Sequence, residues 1–184
     1  VRPKVGENPA INNKDVPLIA KMHKAITIIQ FKLESEIINS RDEFDMKDRN
    51  LLHKIDYQKG CVEINGEVYP LKDTNFPTID PSNPYALTDE EKDVVKKLII
   101  SFKGNEKLRK HINCLYSKGS LYLVRNGNLL YHGSMLMNED GSFKKVKIDG
   151  EEYAGKALFD KIDSLVRDGY YEKDPVKKRF GEDF

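Results

Sequence analysis

The sequence predicts a mixed α+β fold, helix-rich with added β-hairpins, on three observations. Apolar residues recur at alternating steps of three and four over several long stretches, the period of one helix face. Three pairs of short strand-like runs flank Asn65-Gly66, Asn126-Gly127 and Asp149-Gly150, dipeptides that accept positive φ at both central positions of a type I′ turn. At 184 residues, 39% of them hydrophobic, the chain is long enough for one ordinary domain with a core, or for two small lobes.

Residues 1–15, VRPKVGENPAINNKD, read as linker, and 16–118 as a helical region holding one hairpin and a proline-containing loop. Ile19, Met22, Ile26, Ile29, Leu33 and Ile37 mark a helix from 16 to about 39, with Asp15 as N-cap and Pro17 in the first turn, where a missing amide proton costs nothing. A short helix is expected over 46–55, capped by Asp45 and apolar at Leu51, Leu52 and Ile55. CVEINGEVYPL gives strands at 61–64 and 67–71. Pro77, Pro81 and Pro84 interrupt any period between 73 and 87, so that stretch is a long loop; Phe76, Ile79, Tyr85 and Leu87 give it apolar anchors. Thr88 and Glu91 form a capping box that opens a helix carrying Val94, Val95, Leu98, Ile99 and Phe102, ending at Gly104, and a further helix spans 105–118.

Residues 119–171 read as a sheet segment and its closing helix. SLYLVRNGNLLYHG predicts strands at 121–125 and 128–132, apolar on both faces as interior strands are. FKKVKIDGEEYAG alternates polar and apolar, so one face of that hairpin should be wet. The closing helix turns Ala157, Leu158, Ile162, Leu165 and Val166 inward. Residues 172–184 form a charged tail expected to be loose.

Thirty-one Lys and Arg against thirty Asp and Glu leave a net charge of +1, which gives no overall electrostatic reason for a nucleic-acid or membrane partner. No run approaches the roughly 18 apolar residues of a membrane span, and the first residues lack a secretory layout, so a cytoplasmic protein is expected. Cys61 and Cys114 are too few for a disulfide framework. The chain starts at Val1 without methionine, as a piece of a longer protein would.

His132 is the candidate chemical residue. It ends an apolar strand against Gly133, which has no side chain to crowd a bound ion, and a neutral imidazole on a rigid support suits a transition metal. The alternative is a core histidine with both ring nitrogens satisfied. His23, His53 and His111 lie in helical patterns without a second ligand at i+4 and receive no role. Asp89, Glu90 and Glu91 are explained by capping and the helix dipole, and Lys118, Arg125 and Lys144 by solvated charge. Ser134 and His132 flank a glycine near a strand end and make a poor nucleophile and base pair. Phosphate-loop, dinucleotide and serine-elbow motifs are missing from the sequence.

MHKAITIIQFKLE (22–34), LLHKIDYQKG (51–60), LKDTNFPTIDPSNPYALT (71–88), SKGSLYLVRNGNLLYHG (117–133) and GKALFDKIDSLVRDGYY (155–171) resemble the class 3 fructose-1,6-bisphosphatases of Firmicutes, within the calcineurin-like metallophosphatases. The resemblance implies part of a metallophosphatase αββα sandwich and a two-metal centre, usually manganese, that hydrolyses fructose 1,6-bisphosphate in gluconeogenesis. Of the family's metal motifs, His132-Gly133 alone matches, as the histidine of its H-G turn; G-D-x-x-D-R-G and G-N-H do not occur. Three expectations follow: an internal fragment that supplies one metal ligand and is inactive alone, strands whose open edges promote a homo-oligomer, and fructose 1,6-bisphosphate as substrate of the whole enzyme. The competing reading is a non-catalytic module that presents Phe76, Ile79 and Tyr85 of the 73–87 loop to a protein partner.

Overall fold

The computed structural model describes residues 15–184; of the expected linker, all but Asp15 lies outside them. The mixed α+β class is observed, with helices and small antiparallel sheets. The chain divides into two compact units, Val1–Leu98 and Ile99–Phe184.

The first unit is built on helix α1 (Val16–Ser40), which has Pro17 in its first turn but no side-chain cap from Asp15. Its buried residues are Ile28, Ile29, Lys32, Ser35 and Ile38: of the expected stripe Ile29 is buried and Ile19, Leu33 and Ile37 are half-buried, while Met22 and Ile26 are 60% and 44% exposed. The shift has a physical cause: the covering chain is tied to α1 by hydrogen bonds from Lys24 to the Asn75 carbonyl, from Lys32 to the Thr78 carbonyl and from Asn50 to Asn39. The helix expected over 46–55 does not form. After a first 3-10 turn at Asp42–Phe44, two more, Lys47–Arg49 and Leu52–Lys54, occupy this stretch, because extended Asn50 breaks the run and turns its buried side chain onto Asn39. Strand β1 (Ile55–Asp56), which the sequence did not predict, then pairs with β2 (Cys61–Ile64), and β2 with β3 (Glu67–Pro70), in an antiparallel sheet. Leu52 and Val62 join Ile28, Ile29 and Ile38 among its buried hydrophobics.

The 73–87 loop is ordered by successive turns, closed by Ile79 N–H to Phe76 O, Asn83 to Asp80 and Ala86 to Asn83. It leads into helix α2 (Asp89–Gly104), whose reciprocal cap forms as expected: the Glu91 amide donates to Thr88 Oγ1, and the Thr88 amide to Glu91 Oε2 at 2.9 Å.

In the second unit α3 (Glu106–Lys118), capped by Asn105, precedes the hairpin of β4 (Tyr122–Arg125) and β5 (Asn128–Tyr131). Strands β6 (Val146–Ile148) and β7 (Glu151–Tyr153) form the third hairpin, and all three turns have positive φ at both central residues. Helix α4 (Gly155–Tyr171) buries Leu158 and Leu165 with Ile148, while Val146, Tyr153, Ile162 and Phe180 pack around them. Ala157 and Val166, expected inward, are exposed. The tail expected to be loose is instead helix α5 (Pro175–Asp183): Asp174 caps it by accepting from Val176 N and Lys177 N, and Gly169 and Gly181 let its backbone close onto α4. A Cβ on Gly181 would meet Gly169 N and Leu165 O at 2.4 Å, so the crossing demands glycine.

Among the described residues, no helix is long and apolar enough to cross a membrane.

Candidate functional site

The site begins with the β4–β5 hairpin. Its register pairs Tyr122 with Tyr131, Leu123 with Leu130, Val124 with Leu129 and Arg125 with Asn128 across the Asn126-Gly127 turn. Strand alternation therefore puts Tyr122, Val124, Leu129 and Tyr131 on one face and Leu123, Arg125, Asn128 and Leu130 on the other. The first face rests on α4 at its base, where the rings of Tyr122 and Tyr131 lie 6.0 and 6.2 Å from that of Phe159. Tyr122 donates its hydroxyl to Asp160 Oδ1 at 2.8 Å, and hydrogen bonds from Lys156 and Tyr122 hold that carboxyl below its ordinary value. Arg167 on α4 braces the approach to the hairpin. It bonds Asp163, the Gly119 carbonyl at 2.7 Å and the Tyr116 carbonyl, beside a stack of Tyr116 on Tyr170 with centroids 4.3 Å apart.

His132 follows Tyr131 directly, one residue past the last ladder pair rather than inside the strand as expected. Its side chain is exposed, and the strands before it, expected to be interior, are open: Leu123 and Leu130 are each 53% accessible. The reason is that this sheet has two strands only and α4 covers just its base. Gly133 takes φ +92°, a value that favours glycine, and a Cβ there would face open space. The imidazole thus stands on a braced support with room beside it.

The donors present do not suffice for a two-metal centre. No group of three or more His, Cys, Asp or Glu that could hold an ion occurs among the described residues, so His132 is a single candidate donor. Of the other histidines, His53 shares a hydrogen bond through Nδ1 with the Tyr85 hydroxyl at 2.8 Å, and with Lys54, Glu63 and Asn65 it lines a shallow hollow. Cys61 and Cys114 are free thiols.

The group that sequence reasoning missed is an ion pair inside the first unit. Lys32 Nζ lies 2.7 Å from Glu91 Oε2, with the two side chains 0% and 6% exposed, and donates also to Thr78 O. Burial works to raise the Glu91 carboxyl, but its hydrogen bond from Lys32, with those from Thr78 and the Thr88 amide, outweighs burial and holds it below its ordinary value. The signal was a lysine between two apolar residues of α1, Phe31 and Leu33. The nearby loop side chains are engaged within the same unit: Phe76 meets Tyr57 edge-on at 5.6 Å and lies under Lys24 Nζ, which also pairs with Asp73 at 2.8 Å.

By sequence, this helix-and-hairpin chain sits among bacterial proteins named as sugar-bisphosphate phosphatases. The family model described as Firmicute fructose-1,6-bisphosphatase matches residues 1–184, and the chain belongs to that family. A fructose-1,6-bisphosphatase class 3 of Alkaliphilus metalliredigens is 56% identical over 185 residues, covering 99% of this chain and 28% of the relative's own length. That of Bacteroides fragilis is 57% identical over 174 residues, covering 94% and 26%, and that of Clostridioides difficile 52% identical over 177, covering 96% and 27%. The chain therefore spans little more than a quarter of the curated relatives it matches. No solved structure matches it.

Proposed function

We propose that these residues are one segment of a metal-dependent fructose-1,6-bisphosphate 1-phosphohydrolase of gluconeogenesis, and that His132 is one of its manganese ligands in the complete polypeptide. The family match along the whole chain carries the reading. The exposed imidazole on a braced hairpin, next to a glycine with open space, supports the ligand assignment. The other donors come from polypeptide outside these residues, arranged with the hairpin in a metallophosphatase sandwich. No catalytic step is assigned to this segment. A lone imidazole holds a divalent ion weakly and cannot fix the spacing of two. A cytoplasmic homo-oligomer belongs to the same reading. The interaction-module reading draws less support, because Phe76 and Tyr85 are engaged within the first unit.

The test is His132→Ala in the full-length enzyme, with bound manganese measured by atomic emission and phosphate release from fructose 1,6-bisphosphate measured in parallel. Manganese content and activity fall, activity by about 100-fold or more, since even outer partners of metal ligands are worth 10- to 100-fold. Wild-type metal content and turnover in the variant would overturn the assignment.

A further inference from the structure

The β4–β5 hairpin is gripped at one end, and it is the end that carries His132. The register sets Tyr122 against Tyr131 as the last ladder pair, and His132 is the next residue. Both tyrosine rings lie against Phe159 of α4, that of Tyr122 at 24° to it and that of Tyr131 at 43°. On the same face, two residues toward the turn, Val124 and Leu129 are 62% and 48% exposed. Past His132 the backbone turns at Gly133 with φ +92°, and residues 134–136 have no regular structure. The imidazole is therefore held from its strand side, and it is only as well placed as the tyrosine pair before it.

Polar contacts tighten that grip. Lys156, Phe159 and Asp160 fall at i, i+3 and i+4 of α4, on one face of the helix. Tyr122 donates its hydroxyl to Asp160 Oδ1 at 2.8 Å, and Lys156 donates to Asp160 Oδ2. The Lys156 ammonium also lies 5.6 Å from the centroid of the Tyr122 ring, so phenol, carboxylate and ammonium form a closed set of three. The hydrogen bonds from Lys156 and Tyr122 keep the carboxyl below its ordinary value, so it remains an acceptor at neutral pH. The Lys156 and Asp160 side chains are 73% and 47% exposed, and an ion pair that open adds little to global stability. The set is better suited to fixing a direction than to holding the fold.

We propose that Tyr122 and Asp160, with Lys156 holding Asp160, are positioning residues for His132: they fix the backbone from which the imidazole projects and so set its affinity for manganese. Their bearing on manganese rests on the ligand reading of His132 above; the brace itself does not. Groups that orient a metal ligand from outside its coordination sphere are worth about 10- to 100-fold in metal affinity.

The test uses the full-length enzyme. Manganese affinity is read from the paramagnetic resonance of the free ion, turnover against manganese concentration, and hydrogen exchange over residues 128–133. Tyr122→Phe keeps the ring on Phe159 and removes only the hydroxyl. It should weaken manganese binding about tenfold, the lower end for such outer groups, with turnover restored at saturating manganese and faster exchange over 128–133 at an unchanged melting point. Asp160→Asn keeps an oxygen for the Tyr122 hydroxyl and should shift the manganese constant less than Asp160→Ala. Lys145→Gln breaks an ion pair of like exposure with Glu152 on the β6–β7 hairpin and is the control, expected to keep the wild-type constant. A wild-type constant in Tyr122→Phe, or an equal shift in Lys145→Gln, would overturn the proposal. So would turnover that saturating manganese fails to restore. His132→Ala separates the two readings. Manganese lost there but held normally by Tyr122→Phe keeps the ligand and sinks the positioning role. Manganese held normally by His132→Ala sinks the ligand reading and the brace's bearing on the metal, while faster exchange in Tyr122→Phe would still show the brace.

Discussion

Replacing Lys32 by Met keeps the side-chain stem in the core and removes only its charge. Lys32 is fully buried, 2.7 Å from a Glu91 carboxylate that is itself 6% exposed, so the substitution strands an anion in a dry interior. Breaking a buried pair in this way costs about 3–5 kcal/mol, whereas replacing both partners with neutral groups is close to neutral. Lys32→Met should therefore lose about 3–5 kcal/mol in urea unfolding, and the double variant Lys32→Met with Glu91→Gln should recover most of it. With a urea slope of about 1–3 kcal/mol/M, the single variant's midpoint drops by roughly 1 M or more. The pH dependence gives a second reading of opposite sign in the two proteins. In the wild type the folded Glu91 pKa is depressed, so its stabilisation is fully present above the ordinary carboxylate range and is lost as pH falls through the folded pKa. Without the ammonium, burial dominates and raises that pKa, so Lys32→Met should gain stability as pH falls from neutrality toward 5. A single-variant loss within about 0.5 kcal/mol, the range of a surface substitution, would refute the reasoning.

Further tests follow from other contacts. Gly181→Ala drives a methyl group into the α4 backbone at 2.4 Å and should cost about 1–3 kcal/mol, with α5 becoming the first site of proteolytic cleavage; an unchanged melting point and cleavage pattern would count against that crossing. The 184-residue chain alone should release no phosphate from fructose 1,6-bisphosphate with manganese, and measurable metal-dependent turnover would show a site that His132 does not explain. Its open hairpin should make the isolated chain self-associate, which light scattering at rising concentration reads directly, a concentration-independent monomer mass being the contrary result.

Local signals were legible where their partners lie close in sequence. The three Asn-Gly and Asp-Gly turns and the Thr88–Glu91 capping box form as their sequences predict, because each depends on residues within a few positions. The buried side of α1 was legible only in part, since it is set by where the 73–91 chain crosses the helix and not by the spacing of Met22 and Ile26. Residues 46–55 misled for a similar reason: Asn50 is claimed by Asn39, a contact that helical spacing does not encode. Helix α5 could have been found. Asp174-Pro175 is the same cap-then-proline signal that marked the start of α1, masked by the charge of the residues after it. At the candidate site, the Asn126-Gly127 turn and the strand leading to His132 were legible, but the openness of that hairpin was not, because it depends on how few strands pair there and not on the apolar run itself.

The Tyr116–Tyr170 stack offers an optical handle. Its rings are 4.3 Å apart and 7° from parallel, and Tyr171 meets both edge-on, in a chain with nine tyrosines and no tryptophan. Phenol transitions held so closely couple, and no indole absorbs over them, so a near-ultraviolet dichroism signal from this trio would fade when α3 separates from α4. Loosening at the base of the His132 hairpin could then be followed without attaching any dye.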